Sequence, residues 1–154
     1  MAKERPSLVT LKLFILVCLL VFPQVSHAEV SLPRTEAEFI QRYIQFHPLV
    51  NLFIPDVDTF LEIIRAESNF NPRAMNWNCQ YGKKFTSCKK QDRDLAFSVD
   101  CGLSQINIKS KVCPEYLFNM DINLAQAVNL YIGRKFQPWQ ASKKNWQLSL
   151  AKGG

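Results

Sequence analysis

The residue whose type and position best suit chemistry is Glu67, in the stretch FLEIIRAESNFNP from Phe60 to Pro72. Counted from Phe60 at the helical period, the apolar positions are Ile63 and Ile64, and Glu67 extends the same stripe. A carboxyl group on an apolar helix face loses hydration, which disfavours its charged form and raises its pKa. Such a group can give a proton to a leaving oxygen, as cleavage of a glycosidic bond requires. The alternative is a glutamate at a helix end that reaches solvent or an arginine.

The helix that would position Glu67 has recognisable ends. Its start is predicted at Asp56 or Asp58, close to Thr59 and Glu62, which are spaced as a capping box. Its end is predicted at the Asn-Pro pair of residues 71–72, because a residue before proline disfavours the helical region. We expect the polar residues of the opposite face to point away from the apolar stripe: Glu62, Arg65 and Asn69.

Two other helices are predicted, one on each side of this one in the sequence. Thr35 and Glu38 form the capping box of the first, which ends before His47. We expect this histidine to lie at a helix end or in solvent and not to bind a ligand. The later helix lies in NMDINLAQAVNLYIGRKF, with Asp121 or Asn123 as its cap. The apolar stripes of the two helices are Phe39, Ile40, Tyr43 and Ile44 in the first and Leu124, Val128 and Tyr131 in the second.

The segment 73–100 is polar and interrupts the helical pattern. We interpret it as a long loop or irregular hairpin pinned by a disulfide, with the charge run KKQDRD on a solvated face. The stretch CGLSQINIKSKVC gives mixed local signals, and the tail QPWQASKKNWQLSLAKGG has no clear period. Helices with one β-containing insertion predict an α+β fold that is mainly α.

Residues 1–28 have the features of a secretory signal peptide. Lys3, Arg5 and Lys12 precede an apolar run, Leu13–Phe22, which Pro23 ends, and a small-x-small cleavage pattern follows at residues 26–28. The run is far shorter than the roughly 20 residues that cross a bilayer, which disfavours a transmembrane anchor. We therefore expect a single exported domain, residues 29–154, in the periplasm or outside the cell.

Charge and cysteine content indicate which partners, disulfides and cofactors the protein can have. The formal net charge of +6 suits an anionic surface such as a bacterial envelope, or simple solubility. No basic tract interleaved with aromatic residues points to nucleic acid, so no such partner is expected. An even number of cysteines remains after residue 28, which predicts two disulfides with three possible connectivities. The local pairs Cys79–Cys88 and Cys101–Cys113 are favoured. No C-x-x-C pair or nearby histidine supports zinc, and no metal or other cofactor is expected.

An ordered set of motifs surrounds Glu67. E-S-x-F-x-P-x-A corresponds to Glu67–Ala74, G-L-x-Q-I-N to Gly102–Asn107, and A-x-x-L-Y to Ala127–Tyr131, before the pair Pro138–Trp139. This set resembles the secreted lytic transglycosylases with an SLT domain, which belong to the lysozyme-like superfamily. Each motif alone is weak, but their order and spacing over residues 56–142 are specific.

The resemblance implies a lysozyme-like fold, with the disulfide-pinned loop or small hairpin beside the helix of the active site. It implies that Glu67 cleaves the β-1,4 bond between N-acetylmuramic acid and N-acetylglucosamine in peptidoglycan glycan strands. Glu67 would first act as an acid and then as a base toward the 6-hydroxyl, giving a 1,6-anhydro product without water or metal. Substrate-binding roles would fall to Ser68, Gln105, Asn107 and Tyr131. Gln105 and Asn107 could instead satisfy or cap backbone, and Tyr131 could lie in the core.

Asp100 leaves a second reaction open. It lies in a run similar to the S-T-D-x-G of animal-type lysozymes, in which the aspartate is the second catalytic carboxylate. Two carboxylates about 5 Å apart would allow retaining hydrolysis. Bacterial SLT-like proteins linked to secretion systems also share this aspartate.

Two departures from the family pattern support a third interpretation. No Y-N-x-G motif follows Trp139, and the loop 75–99 is longer and richer in cysteine than usual. A non-catalytic peptidoglycan-binding protein, or one that serves a secretion or conjugation apparatus, is therefore the alternative to an enzyme. A monomer is expected in either case.

Overall fold

Helices and one small antiparallel sheet form a mixed α+β fold, seen in a computed structural model that describes residues 35–151. The α-helices of this part are α1 Glu36–Gln45, α2 Pro48–Phe53, α3 Val57–Ser68, α4 Met120–Arg134 and α5 Lys143–Ala151. The predicted signal peptide lies outside the described residues. None of the helices within residues 35–151 combines the length and apolar character needed to cross a membrane.

The sheet begins in the segment 73–100, which was expected to be a pinned loop or hairpin, and extends into the following stretch CGLSQINIKSKVC. Its strands are β1 Met75–Tyr81, β2 Lys84–Ser87, β3 Ser98–Cys101 and β4 Ile106–Ile108, in the order β2-β1-β3-β4 with every pair antiparallel. The disulfide Cys79–Cys88 ties β1 to the end of β2, and Cys101–Cys113 closes the segment that holds β4. Both disulfides pair the cysteines that are neighbours in sequence, as expected.

Helix starts follow the capping chemistry of the sequence in two places and depart from it in a third. The side chain of Thr35 accepts a hydrogen bond from the backbone of Glu38, and that of Asp56 accepts one from the backbone of Thr59 at the start of α3. Thr59 therefore lies inside the helix, and the prediction of a Thr59–Glu62 capping box was wrong. The prediction that Asp121 or Asn123 caps the later helix was wrong. Asn119 caps α4, because its side chain accepts from the backbone nitrogen of Ile122 at 3.1 Å.

Helix α2 was not predicted from the sequence. It is only six residues long and begins with Pro48, which is favourable in the first turn because its missing N–H would be unpaired there. His47 occupies the N-cap position, at a helix end as expected. Its ring is 8% exposed and lies 3.3 Å from a carboxylate oxygen of Asp121, so it is not solvated.

The core is built around α3, which packs against α1 on one side and against α5 on another. Phe60, Ile63 and Ile64 are fully buried, which confirms the predicted apolar stripe. The expectation that Glu62 faces away from the core was wrong. Glu62 is 6% exposed, and its carboxylate pairs with Arg65 of the same helix at 3.0 Å.

The tail without a clear period is folded. A 3-10 segment, Gln137–Ser142, leads directly into α5. Trp139 and Trp146 are buried, and the ring of Trp139 meets Phe60 of α3 edge-on at 6.0 Å. The end of the described chain therefore closes over the helix that carries Glu67.

Candidate functional site

Glu67 lies in the last turn of α3, where the helix stops abruptly. The next residues, Asn69 and Phe70, both have left-handed φ angles, 51° and 60°. Asn69 is the C-cap of α3, and its left-handed conformation turns the chain toward β1. The side chain of Phe70 is buried. Two successive left-handed residues of this kind are uncommon, and such backbone conformations cluster at functional sites. The turn leaves the carboxyl of Glu67 half-buried at the wall of a cleft.

The cleft has a volume of about 1050 Å³ and lies between the sheet, the loop after β3, α4 and the 3-10 segment. Burial raises the pKa of Glu67, and the charge of Asp100 raises it further. A hydrogen bond from Ser142, whose Oγ lies 2.5 Å from Oε1 of Glu67, acts in the opposite direction and lowers that pKa. Loss of hydration is the largest of these effects, so the net direction is upward.

Asp100 lies on β3 at the centre of a group of amides that strand pairing brings together. Asn76 on β1 and Asn107 on β4 are its direct cross-strand neighbours, and Asn78 is two residues further along the same face. Oδ2 of Asp100 accepts from Asn78 at 2.8 Å and from Asn76 at 3.3 Å, and Oδ1 accepts from Asn107 at 2.6 Å. Ser98 also accepts from two of these amides. The carboxylate is therefore held on both oxygens, facing the same cleft as Glu67.

The loop after β3 is fixed from behind by one buried amide. Gly102 has a φ of 73°, and a Cβ at this position would lie 2.2 Å from Nδ2 of Asn123 and 2.4 Å from the carbonyl of Leu117. Asn123 is 1% exposed; it accepts from the backbone of Ser104 and donates to the carbonyls of Cys101 and Leu117. Glycine is needed here for both its φ angle and its lack of a side chain.

The predicted substrate-binding residues separate into two pairs. Gln105 and Asn107 line the cleft with Glu67. Gln105 has a φ of 50° and donates to the carbonyls of Ala74 and Gly102, so its amide also holds the loop.

The other pair lies elsewhere. Ser68 donates to the carbonyl of Ile64 within its own helix, and Tyr131 is 5% exposed in the core against Phe136. Neither side chain lines the cleft.

Several cleft residues were missed from the sequence. Ser142 lies in the aperiodic tail, and Asn76 and Asn78 lie in a segment that was interpreted only as a loop or hairpin. Their alternate spacing was a usable signal, because residues two apart share a face of a strand. Gln126, Leu130 and Arg134 repeat every four residues on α4 and form another wall.

Phe85 and Phe97 form an exposed aromatic pair at the cleft, with ring centroids 5.6 Å apart. Within residues 35–151, no group of three or more His, Cys, Asp or Glu side chains is arranged to hold a metal ion.

The chain matches no protein-family model, no curated protein and no solved structure.

Proposed function

We propose that this protein is a peptidoglycan lytic transglycosylase with a lysozyme-like fold, in which Glu67 is the catalytic residue. The observation that carries the proposal is the position of Glu67, whose carboxyl group is half-buried in a large cleft and has a pKa raised by burial. A raised pKa keeps part of the carboxyl protonated at pH values where an exposed glutamate is ionised, as a general acid requires. The two disulfides suit an exported protein that meets its substrate in the periplasm or outside the cell.

In the proposed reaction, Glu67 donates its proton to the glycosidic oxygen as the bond from C1 of N-acetylmuramic acid breaks. The ionised Glu67 then takes the proton of the 6-hydroxyl of the same sugar while O6 bonds to C1. The products are a new 4-hydroxyl on N-acetylglucosamine and a 1,6-anhydro end. Glu67 ends protonated, so the cycle needs neither water nor metal.

Asp100 suits electrostatic support of this reaction. Cleavage passes through an oxocarbenium-like state with positive charge near C1. A carboxylate fixed in the same cleft stabilises such charge without moving. Both oxygens of Asp100 already accept amide hydrogen bonds, which favours this role over nucleophilic attack.

The remaining cleft chemistry suits a carbohydrate polymer. Pockets for compact small molecules measure about 300–1,000 Å³, and this cleft is at or above the upper end of that range. Its wall combines exposed aromatic rings at Phe85 and Phe97 with amide side chains. Sugar rings present C–H faces that pack on aromatic rings and hydroxyls that bind amides.

The second candidate function, an alternative to transglycosylation, is lysozyme-type hydrolysis that uses both Glu67 and Asp100. It is favoured by one observation, the presence of two carboxyl groups in one cleft, where the charge of Asp100 contributes to the raised pKa of Glu67. The two reactions differ in the sugar end that they leave, since hydrolysis gives a reducing end and transglycosylation does not.

The test is digestion of purified insoluble peptidoglycan by the wild type and by Glu67→Gln. Gln keeps the size and one acceptor of the side chain but cannot give up a proton. We expect soluble muropeptides from the wild type and at least about a hundredfold less from the variant. Binding to peptidoglycan without release by the wild type would favour the non-catalytic interpretation.

A further inference from the structure

Ser142 is the hydrogen-bond partner of Glu67, and it comes from a distant part of the chain. Its Oγ lies 2.5 Å from Oε1 of Glu67 and 3.1 Å from the backbone carbonyl of Trp139. A hydroxyl has one proton to donate and lone pairs that accept. Ser142 can therefore donate to only one of these two oxygens at a time. Which oxygen accepts depends on whether Glu67 is protonated.

The two protonation states of Glu67 use this hydroxyl in opposite directions. An ionised Glu67 can only accept, so the proton of Ser142 points to the carboxylate, and the short distance suits a charge-assisted bond. A protonated Glu67 can donate its own proton to Oγ, and the proton of Ser142 then turns to the carbonyl of Trp139. Every group keeps a partner in both states, with only a rotation of one O–H bond.

The second acceptor is held firmly in place. Trp139 is 3% exposed, and its indole nitrogen donates to the carbonyl of Ser104 at 2.8 Å. The indole of Trp146 donates to the carbonyl of Trp139 at 3.4 Å. The carbonyl of Trp139, which is the second acceptor for Ser142, thus belongs to a buried residue whose indole also contacts the loop after β3.

We propose that Ser142 is the positioning residue that holds the Glu67 carboxyl in one geometry through both of its protonation states. This inference rests on the proposed function, since the two states matter to an enzyme whose glutamate gives up a proton and takes one back. A side chain held by a bond available in only one state would be free to move in the other, and misplacement by about 1 Å can cost about a hundredfold in rate.

The charges that face Glu67 are few, which makes its titration interpretable. Among the described residues that line the cleft, the other charged side chains are Asp100 on β3 and Arg134 on α4. The 3-10 segment contributes Ser142 and other neutral groups. A change at Ser142 therefore alters one hydrogen bond to Glu67 and leaves these two charges in place.

The test compares Ser142→Ala, which removes the hydroxyl, with Ser142→Thr, which keeps it. Ser110→Ala is the matched control, because that hydroxyl accepts from the backbone of Val112 in a loop outside the cleft. The pKa of Glu67 is read by carbon NMR of its labelled carboxyl, assigned with Glu67→Gln. The second readout is the pH profile of kcat/KM for release of muropeptides.

We expect Ser142→Ala to raise the pKa of Glu67, to move the basic limb of the profile to higher pH, and to lower kcat about tenfold to a hundredfold. Ser142→Thr should keep the wild-type pKa and profile, as should Ser110→Ala. An unchanged kcat in folded Ser142→Ala would overturn the proposal, because the carboxyl of Glu67 would then hold its geometry without this hydroxyl. If the wild type releases no muropeptides, the proposed function fails, while the NMR titration still reports separately on the bond between Ser142 and Glu67.

Discussion

The contact between Gly102 and Asn123 makes the loop after β3 sensitive to a single methyl group. Replacement of Gly102 by alanine places a Cβ 2.2 Å from Nδ2 of Asn123 and 2.4 Å from the carbonyl of Leu117. The backbone carbonyl cannot turn away, and moving Asn123 breaks its buried hydrogen bonds. A matched control exists at Gly82, which also has a positive φ, 62°, but has no atom within 4 Å of the added Cβ.

The two variants separate backbone strain from steric clash. Gly82→Ala should cost about 1–2 kcal/mol of unfolding free energy, the strain of a left-handed alanine. Gly102→Ala carries the same strain plus about 1–3 kcal/mol for overpacking and about 1 kcal/mol for a broken hydrogen bond. We therefore expect Gly102→Ala to be less stable than Gly82→Ala by about 2–4 kcal/mol. Because the urea slope is about 1–3 kcal/mol per molar, its midpoint should lie at least about 0.7 M below that of the control.

The assay is equilibrium unfolding in urea with both disulfides intact, followed by circular dichroism and by tryptophan fluorescence. Coincident transitions from the two probes establish that a single free energy describes each variant. Equal midpoints for the two alanine variants would contradict the expected clash, because they would mean that Asn123 does not pack against Gly102. Loss of peptidoglycan cleavage in Gly102→Ala alone would show in addition that this loop shapes the cleft.

Further predictions concern other parts of the fold. Lys135 has φ 53° and ψ −138°, a conformation that suits glycine. Lys135→Gly should therefore raise the free energy of unfolding by up to about 1 kcal/mol, seen as a higher midpoint of urea unfolding. Replacement of both Cys101 and Cys113 by alanine should lower unfolding free energy by about 3 kcal/mol, also measured in urea. Burial raises the pKa of Glu67, so the folded protein keeps this proton at pH values where the unfolded chain has lost it. The stability that this proton provides is present below the unfolded pKa and is lost as pH rises through the folded pKa. Glu67→Gln should therefore have a higher Tm than the wild type near neutral pH, with the gap closing in acid; a constant gap across pH would contradict this.

The position of Glu67 could be predicted because it depends on local patterns. The stripe Phe60, Ile63 and Ile64 follows from helical spacing. Asn71–Pro72 predicts an end close to the observed one, although α3 already ends at Ser68 with Asn69 as its C-cap. The disulfides followed from the proximity of cysteines in sequence. These are short-range properties, so a single sequence carries them.

The partners of Glu67 and Asp100 could not be predicted because they depend on register and tertiary packing. The amides around Asp100 meet it only when β1, β3 and β4 pair in one particular register, which the sequence does not specify. Ser142 reaches Glu67 because buried tryptophans fold an aperiodic tail over α3. Glu62 is buried for a similar reason, since α3 is covered on more faces than its pattern indicates.

The proposed function is tested most directly by the chemistry of the sugar ends that digestion of peptidoglycan produces. Peptidoglycan is digested in water labelled with heavy oxygen, by the wild type and by Glu67→Gln, and the soluble fragments are analysed by mass spectrometry. We expect unlabelled 1,6-anhydro ends from the wild type and none from the variant. Labelled reducing ends would contradict transglycosylation and favour hydrolysis with Asp100, and equal release by Glu67→Gln would contradict the assignment of Glu67 itself.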